Sequence, residues 1–418
     1  TQAQRDAGSV DRARSSATKS VMAARMNQCA HKLLWPRRKA SGGLAIKKAA
    51  PASASGADQV RFEIATNAGT PFGPLDAIAS GGELARFALA MKAALAGREE
   101  MIIEAEHAIE AEALGYDSTF VVEHHFTGFG QVSASLNLLT WVAARTKTLR
   151  LGTAVIVLPW HNPVLLAEQA ATIDLLSGGR LEFGVGKGYR HNEFASFCIP
   201  IEEADERFEE GLELIIKSWT SNERFSHHGK HWHFENIIVE PPTRQKPHPP
   251  IWMAAGNPDS IRKVARRGAK LMLDQLASTQ LAIDRFNIYK AEVEACGRKF
   301  DPMDVAVSRA FYVAKNDEDK KKAVEARLAN QTRLAKLSQT PGGDSKSSML
   351  SFDQTLDAAA ESAMFGTPDE IAVKLSRLRA AGVEHVLLTG PAGSRENLRA
   401  FAKDIMPAFS GPAPKPAA

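Results

Sequence analysis

The stretch Glu123-His124-His125-Phe126-Thr127-Gly128-Phe129-Gly130 sets a carboxylate, two adjacent imidazoles and aromatic rings directly after the apolar run Thr119–Val122. An imidazole titrates near neutrality, so it can donate a hydrogen bond, accept a proton or relay one. A second polar loop, Gly186-Lys187-Gly188-Tyr189-Arg190-His191-Asn192-Glu193, follows the apolar stretch Leu181–Val185. A third, Ala255-Gly256-Asn257-Pro258-Asp259-Ser260, follows Ile251–Ala254 and opens a helix, whose first N–H groups can bind phosphate. Loops at the carboxyl ends of parallel strands are where such sheets bind ligands. His227, His228, His231 and His233 resemble a metal cluster. The alternation of a hairpin over Phe225–Val239 puts only His231 and His233 on one face, however, and no acid or cysteine completes a set, so no metal is expected.

The elements that must position these groups can be read in order. Ile102, Ile103, Ala105, Ala108, Ile109 and Ala113 form a helical stripe ended by Gly115. Predicted strands Thr119–Val122, Leu149–Val157, Leu181–Val185, Ile251–Ala254, Lys270–Leu273, Val305–Tyr312 and His385–Leu388 each lead into a predicted helix. The helices are Leu136–Arg145, Val164–Leu176, Ile201–Trp219, Asn257–Arg267, Gln280–Cys296, Asp317–Leu337 and Arg395–Phe409. A further helix opens at Thr367-Pro368, and Ser338–Thr355 reads as a mobile insertion. This alternation predicts an α/β protein, a (β/α)8 TIM-type barrel whose first strand is missing or replaced, with a mostly disordered N-terminal extension. The sole candidate for the missing strand is Val60–Thr66.

Charge divides the chain the same way. Residues 1–50 hold eleven Lys/Arg against two acids, a balance of +9, whereas the whole chain carries only +4. The main body is therefore mildly acidic, and no nucleic-acid partner is expected. Cys29, Cys198 and Cys296 match no metal or redox motif and suggest a reducing compartment, here the cytoplasm. No apolar run approaches the roughly 20 residues that span a bilayer, so no membrane partner is expected. The expected layout is a disordered basic extension over 1–58, a strand-turn-helix fragment over 59–100, the barrel over 101–409 and a disordered tail over 410–418.

Residues 101–409 resemble the bacterial luciferase-like flavin-dependent monooxygenases. The likeness runs through Gly115–Ser118, Glu123–Gly130, Ala144–Ala154, Leu158–Pro163, Asp174–Gly184, Gly188-Tyr189, Pro249–Trp252 and Gly366–Pro368. The resemblance implies a barrel with an insertion over its mouth. It also implies reduced FMN supplied by a flavin reductase, O2 as co-substrate, a C4a-peroxyflavin and a small organic substrate, in a chain that can homodimerise. His124 is the position it marks as catalytic, with Glu123 and His125 as loop supports. Thr153 and Ala154 would lie beneath the flavin ring. Lys187, followed by Gly188 and Tyr189, would face the flavin and its phosphate, with Arg190 and His191 as alternatives. The helix start would hold phosphate through Gly256, Asn257 and Ser260. Gly186 stands where the luciferases carry a reactive cysteine, and Ala255 and Gly256 stand where they carry an acid and a serine. A deazaflavin-dependent oxidoreductase on the same fold is the alternative, and a catalytically dead fusion the contrary one.

Val60–Ala96 is similar to a piece of the RecN-type DNA-repair ATPases, through Ser80-Gly81-Gly82-Glu83 after a Gly/Pro-rich turn. No phosphate-binding Gly-x-x-x-x-Gly-Lys-Ser/Thr accompanies it, so ATP binding is not expected.

Overall fold

The computed structural model describes residues 43–48, 60–65, 73–74, 104–127, 132–337, 353–390 and 395–411. The chain divides into two compact units, residues 1–99 with 128–130 and residues 100–127 with 131–418. In the first, strands β1 (Gly43–Lys48), β2 (Val60–Ala65) and β3 (Gly73–Pro74) form an antiparallel sheet in that order. β1 falls within the extension expected to be mostly disordered. The alternation Leu44-Ala45-Ile46-Lys47 is the period-two signal for it. The strand expected at Val60–Thr66 also forms, but its ladder partners are β1 and β3. A first barrel strand would have to run parallel to its neighbours, so β2 does not fill that slot. The helix from Ser80, the RecN-like signature, most of the expected insertion and the tail from 412 lie outside the described residues.

The second unit begins with a helix over 104–113 and continues with β4 (Ser118–Val121), β5 (Arg150–Thr153), β6 (Ile156–Val157) and β7 (Leu181–Gly186). After a small antiparallel hairpin, β8 (Phe225–His228) and β9 (His233–Ile237), come β10 (Ile251–Ala254), β11 (Lys270–Leu273) and β12 (Val305–Val313). The last two strands are β13 (Met364–Gly366) and β14 (His385–Thr389). The main sheet is parallel throughout, in the order β4-β5-β7-β10-β11-β12. β14 lies along Ala306–Ala310 of β12, and β13 along Phe311–Val313. With helices between the strands this is a nearly closed (β/α)8-type barrel. Among the described residues no strand joins β14 to β4, so the barrel is open where its first strand was expected to be missing.

Parallel strands covered on both faces need apolar residues at successive positions, and β7 shows this, buried from Leu181 through Val185. Leu181, Phe183, Val185, Ile251, Met253, Leu271, Val305 and Val307 join the large core with the helices. The alternate residues Trp252, Met272 and Ala306 meet Phe120, Ala154, Val155 and Leu387 in a second cluster. A polar set closes the amino end of the strands. Glu182 receives hydrogen bonds from Arg150 and from Trp252 Nε1, the latter at 2.6 Å.

Two departures from expectation have local causes. The single strand expected over Leu149–Val157 is broken after Thr153, and the Ala154–Val155 peptide is cis. Backbones approach closely there: a Cβ on Gly184 would stand 1.8 Å from the Thr153 carbonyl oxygen. Thr153 Oγ1 donates to the Gly184 carbonyl at 2.7 Å and accepts from its N–H at 2.9 Å, which joins the two strands where the ladder is interrupted. The second departure is a short helix, Leu356–Glu361, and β13, which adjoin the Ser/Gly-rich stretch read as insertion.

Candidate active site at the barrel mouth

The loop after β4 is held by groups from three directions. Ser135 Oγ donates to the Val122 carbonyl at 2.8 Å, and the His124 N–H to the Val132 carbonyl at 2.9 Å. Glu123 is buried and accepts from the Val157 N–H at 2.7 Å, His161 Nε2 at 2.7 Å and His125 Nε2 at 3.1 Å. Burial alone would push its carboxyl upward. The hydrogen bonds from His125 and His161, the His161 charge and the Val157 amide outweigh that and hold it near 2. Glu123 thus ties this loop to the segment after β6.

His124 turns to a different carboxylate. Its Nδ1 is 3.1 Å from Glu193 Oε1, and the same oxygen accepts the His125 N–H at 2.9 Å. A carboxylate only accepts. The shared hydrogen bond therefore places the imidazole proton on Nδ1 and leaves Nε2 as the basic nitrogen. Burial lowers the His124 pKa from its ordinary value of 6.5, the Glu193 hydrogen bond opposes this, and the Arg190 charge adds to the lowering. The lowering favours the neutral ring, the form a general base requires. Glu193 is itself buried, on the short helix His191–Ser196, with Arg190 Nη1 3.8 Å away. Sequence reasoning took residues 186–193 as loop and gave Glu193 no role. A pairing 69 positions apart leaves no local periodic trace.

His125 is enclosed rather than presented. Its ring lies 4.9 Å from Phe197 and 5.9 Å from Trp160, both edge-on, while its Nε2 is engaged by Glu123. Asn162, one residue past His161, caps the helix Pro163–Leu176 by accepting from the Val164 and Leu165 amides.

The other expected ligand residues lie at the carboxyl ends of β5, β7 and β10, consecutive neighbours of β4 in the sheet. Thr153 is fully buried, with its hydroxyl committed to Gly184, so only its backbone and Ala154 could face a ring. Lys187 is exposed and pairs with Asp205 at 2.8 Å. Gly188 has φ +77°, and a Cβ there would meet Val157 and Phe194 within 3 Å, so no other residue fits. Arg190 lies over the Tyr189 ring at 5.8 Å. Asn257 caps the helix Pro258–Arg267 through the Ser260 amide at 2.8 Å, so one of the helix-start donors already has a partner. Ala154, Ala255 and Gly256 are small residues around this face, which suits a flat ring system, while Gly186 and Gly188 make space for Val155, Val157 and Phe194.

The hairpin histidines meet acids that sequence reasoning did not foresee. Helix Ala204–Thr220 brings Glu210 to 3.0 Å from His227, and Glu206 to 3.5 Å from His231. His231 lies in the turn between β8 and β9, so strand alternation does not govern it. Among the described residues no group of three or more potential ligands is placed to hold a metal ion. None of the described helices is long and apolar enough to cross a membrane.

Comparison with known proteins gives this geometry a context. The profile of the luciferase-like monooxygenases matches residues 91–385. The uncharacterized protein y4vJ of Sinorhizobium fredii is 36% identical over 171 residues, which cover 41% of this chain and 48% of that protein, so this match spans about half of the relative's length. The oxygenase component of a flavin-dependent trigonelline monooxygenase from Acinetobacter baylyi is 25% identical over 320 residues, 72% of this chain and 87% of that one. An F420-dependent glucose-6-phosphate dehydrogenase from Amycolatopsis mediterranei is 28% identical over 315 residues, covering 72% and 92%. Among solved structures, the monooxygenase RslO1 from Streptomyces bottropensis superposes with a TM-score of 0.63 at 28% identity, over 73% of this chain and 94% of that chain.

Proposed function

Because the chain belongs to the luciferase-like monooxygenase family, we propose that it is the oxygenase of a two-component system that uses reduced FMN and O2 on a small organic substrate. A separate flavin reductase would supply the reduced cofactor, as the relative described as an oxygenase component suggests. The observation that carries the reading is His124 beyond the carboxyl end of β4, its Nδ1 held at 3.1 Å by buried Glu193.

Bound flavin supplies the activation of oxygen. The protein's part is to bind, orient and manage protons. Ala154 and Gly256 would leave room for the ring, and Tyr189 would edge it. Lys187, on leaving Asp205, and the helix start at Gly256, Asn257 and Ser260 would receive the phosphate. His124 Nε2 would hydrogen-bond the reacting oxygen and move its proton, while Glu193 keeps the ring in one orientation. Trp160, Phe194 and Phe197 form an aromatic wall beside the loop, with ring separations of 4.9 to 5.2 Å, and help exclude water.

Changing His124→Ala in the full chain should leave reduced-FMN affinity unchanged, abolish product and release the consumed oxygen as hydrogen peroxide. Unchanged coupling of oxygen to product would remove His124 from this role. Failure of the full chain to bind reduced FMN would sink the reading itself. The similarity to an F420-dependent dehydrogenase favours a second reading, hydride transfer with a deazaflavin. Tighter binding of F420 than of FMN would select it.

A further inference from the structure

The face over β10, β11 and β12 gathers three guanidiniums, of which only Arg285 hydrogen-bonds a carboxylate among the described residues. Asp274 follows β11, and its Oδ1 accepts the Leu276 and Ala277 amides at 2.8 and 3.0 Å. Its Oδ2 holds Arg285 Nη1 at 2.8 Å, and both side chains are largely buried. Arg285 projects from the helix Thr279–Ala295. Its second nitrogen, Nη2, makes no hydrogen bond among the described residues. It lies 3.4 Å from the point where Gly256 would carry a Cβ, so the missing side chain leaves this nitrogen uncovered by residue 256.

Two more guanidiniums stand behind it. Arg309 in β12 is fully buried and, among the described residues, hydrogen-bonds only carbonyls: Ser308 at 2.8 Å, Asp274 at 3.3 Å and Ser278 at 3.4 Å. Its Nε is buried without a partner. Arg327 reaches the Gln275 carbonyl at 2.7 Å, the Gln275 side chain at 3.2 Å, Ser362 and the Ala359 carbonyl, again no carboxylate. Glu361, the other acid that acts on Arg309, is engaged by Arg377 at 3.7 Å. The Asp274 carboxylate hydrogen-bonds Arg285 alone, while Arg309 and Arg327 are held by carbonyl and hydroxyl oxygens and the Gln275 amide. Burial, and the neighbouring guanidiniums after it, lower both Arg309 and Arg327 from 12.5 to about 10. The helix Pro258–Arg267 starts two residues past Gly256, with the positive end of its dipole towards this point.

We infer that Arg285, oriented by Asp274 and presented over Gly256, binds an oxyanion carried by the ligand of this mouth, with Arg309 and Arg327 supplying the surrounding positive field. The inference rests on the flavin-site reading and assigns it an anchoring residue on a different element from Lys187. The oxyanion is the phosphate of the cofactor or an acidic group of the substrate. A guanidinium fork held through one nitrogen by a fixed carboxylate, with the other nitrogen open, is suited to either.

The test compares wild type, Arg285→Ala and Arg285→Lys as full chains. FMN and riboflavin affinities are read from flavin fluorescence, and the thermal midpoint is followed while inorganic phosphate is titrated. Phosphate should raise the wild-type midpoint and leave that of Arg285→Ala unmoved. If the phosphate of the cofactor is the guest, Arg285→Ala loses about tenfold or more in FMN affinity and none in riboflavin affinity, with partial recovery in Arg285→Lys. If the substrate supplies the anion, FMN and riboflavin affinities both stay, while benzoate ceases to shift the midpoint of the FMN-loaded chain. Equal loss of FMN and riboflavin affinity would show that Arg285 acts through the fold and would overturn the inference, as would phosphate and benzoate responses unchanged in Arg285→Ala. A wild type that answers to phosphate but binds no flavin would sink the flavin reading while keeping the oxyanion site.

Discussion

Glu193→Gln isolates what the carboxylate does for His124. The shape is kept, and an oxygen remains to accept from His124 Nδ1 and from the His125 N–H, now at 3.1 and 2.9 Å. The charge is lost. Hydrogen bonds to charged groups are worth about 1.5–3 kcal/mol against about 0.5–1.5 for neutral ones, so the change costs about 1 kcal/mol in holding the ring as it takes up positive charge. That is about five- to tenfold in kcat if His124 gains a proton in the rate-limiting step. The sign of the pH effect is fixed by the same groups. Burial already lowers the His124 pKa, and Glu193 opposes that lowering. Removing the opposition moves the pKa further down, so neutral imidazole persists to lower pH. The acid limb of the kcat profile should therefore shift to lower pH while its plateau falls. The assay is product formation coupled to a flavin reductase across pH 5 to 8, with FMN affinity as the folding control. An acid limb that stays in place or moves upward, or a plateau equal to wild type, refutes the assignment of Glu193 as a positioning residue.

Glu123→Gln should weaken the loop rather than the chemistry alone. Lowering a carboxyl from 4.5 to about 2 corresponds to about 3 kcal/mol. Because the folded value lies below the unfolded one, that stabilisation is present above pH 4.5 and lost as pH falls towards 2. Thermal unfolding of the variant should accordingly lose less stability than wild type across this window. Gly184→Ala would drive a methyl group to 1.8 Å from the Thr153 oxygen, and the strand separation it forces should cost about 3 kcal/mol or more, seen as insoluble protein or a much lower Tm. A chain begun at Met91 retains the whole family match and discards the antiparallel sheet over 43–74. Its flavin affinity should equal that of the full chain, and a loss would show that the upstream unit supports the mouth.

Elements with strong local signals were legible in the sequence. Helix Asp317–Leu337 falls where it was expected, and the helix expected to open at Thr367-Pro368 does so, closed at its start by a capping box between Thr367 and Glu370. The parallel strands were legible because continuous apolar runs have few other uses in a chain of this kind. The break between β5 and β6 was not, since Leu149–Val157 is apolar on both sides of it and only the approach of Gly184 interrupts the ladder. The site divided along the same line. The loops that carry it could be named from their place after strands. The partners that set its electrostatics, Glu193 for His124, Asp274 for Arg285 and Glu210 for His227, come from distant segments and are visible only once the chain has folded.

The open seam leaves β4 a border strand, laddered to β5 alone among the described residues. A strand with one neighbour has half the lateral restraint of an interior strand, yet His124 sits only three residues beyond its end. The three hydrogen bonds to Glu123 act as an external brace, and stiffness that a sheet normally supplies through its backbone is carried here by one side chain. Hydrogen exchange should register this arrangement: fast amides along β4, slow amides in β7, and protection of the Val157 N–H that depends on an acid in the loop after β4.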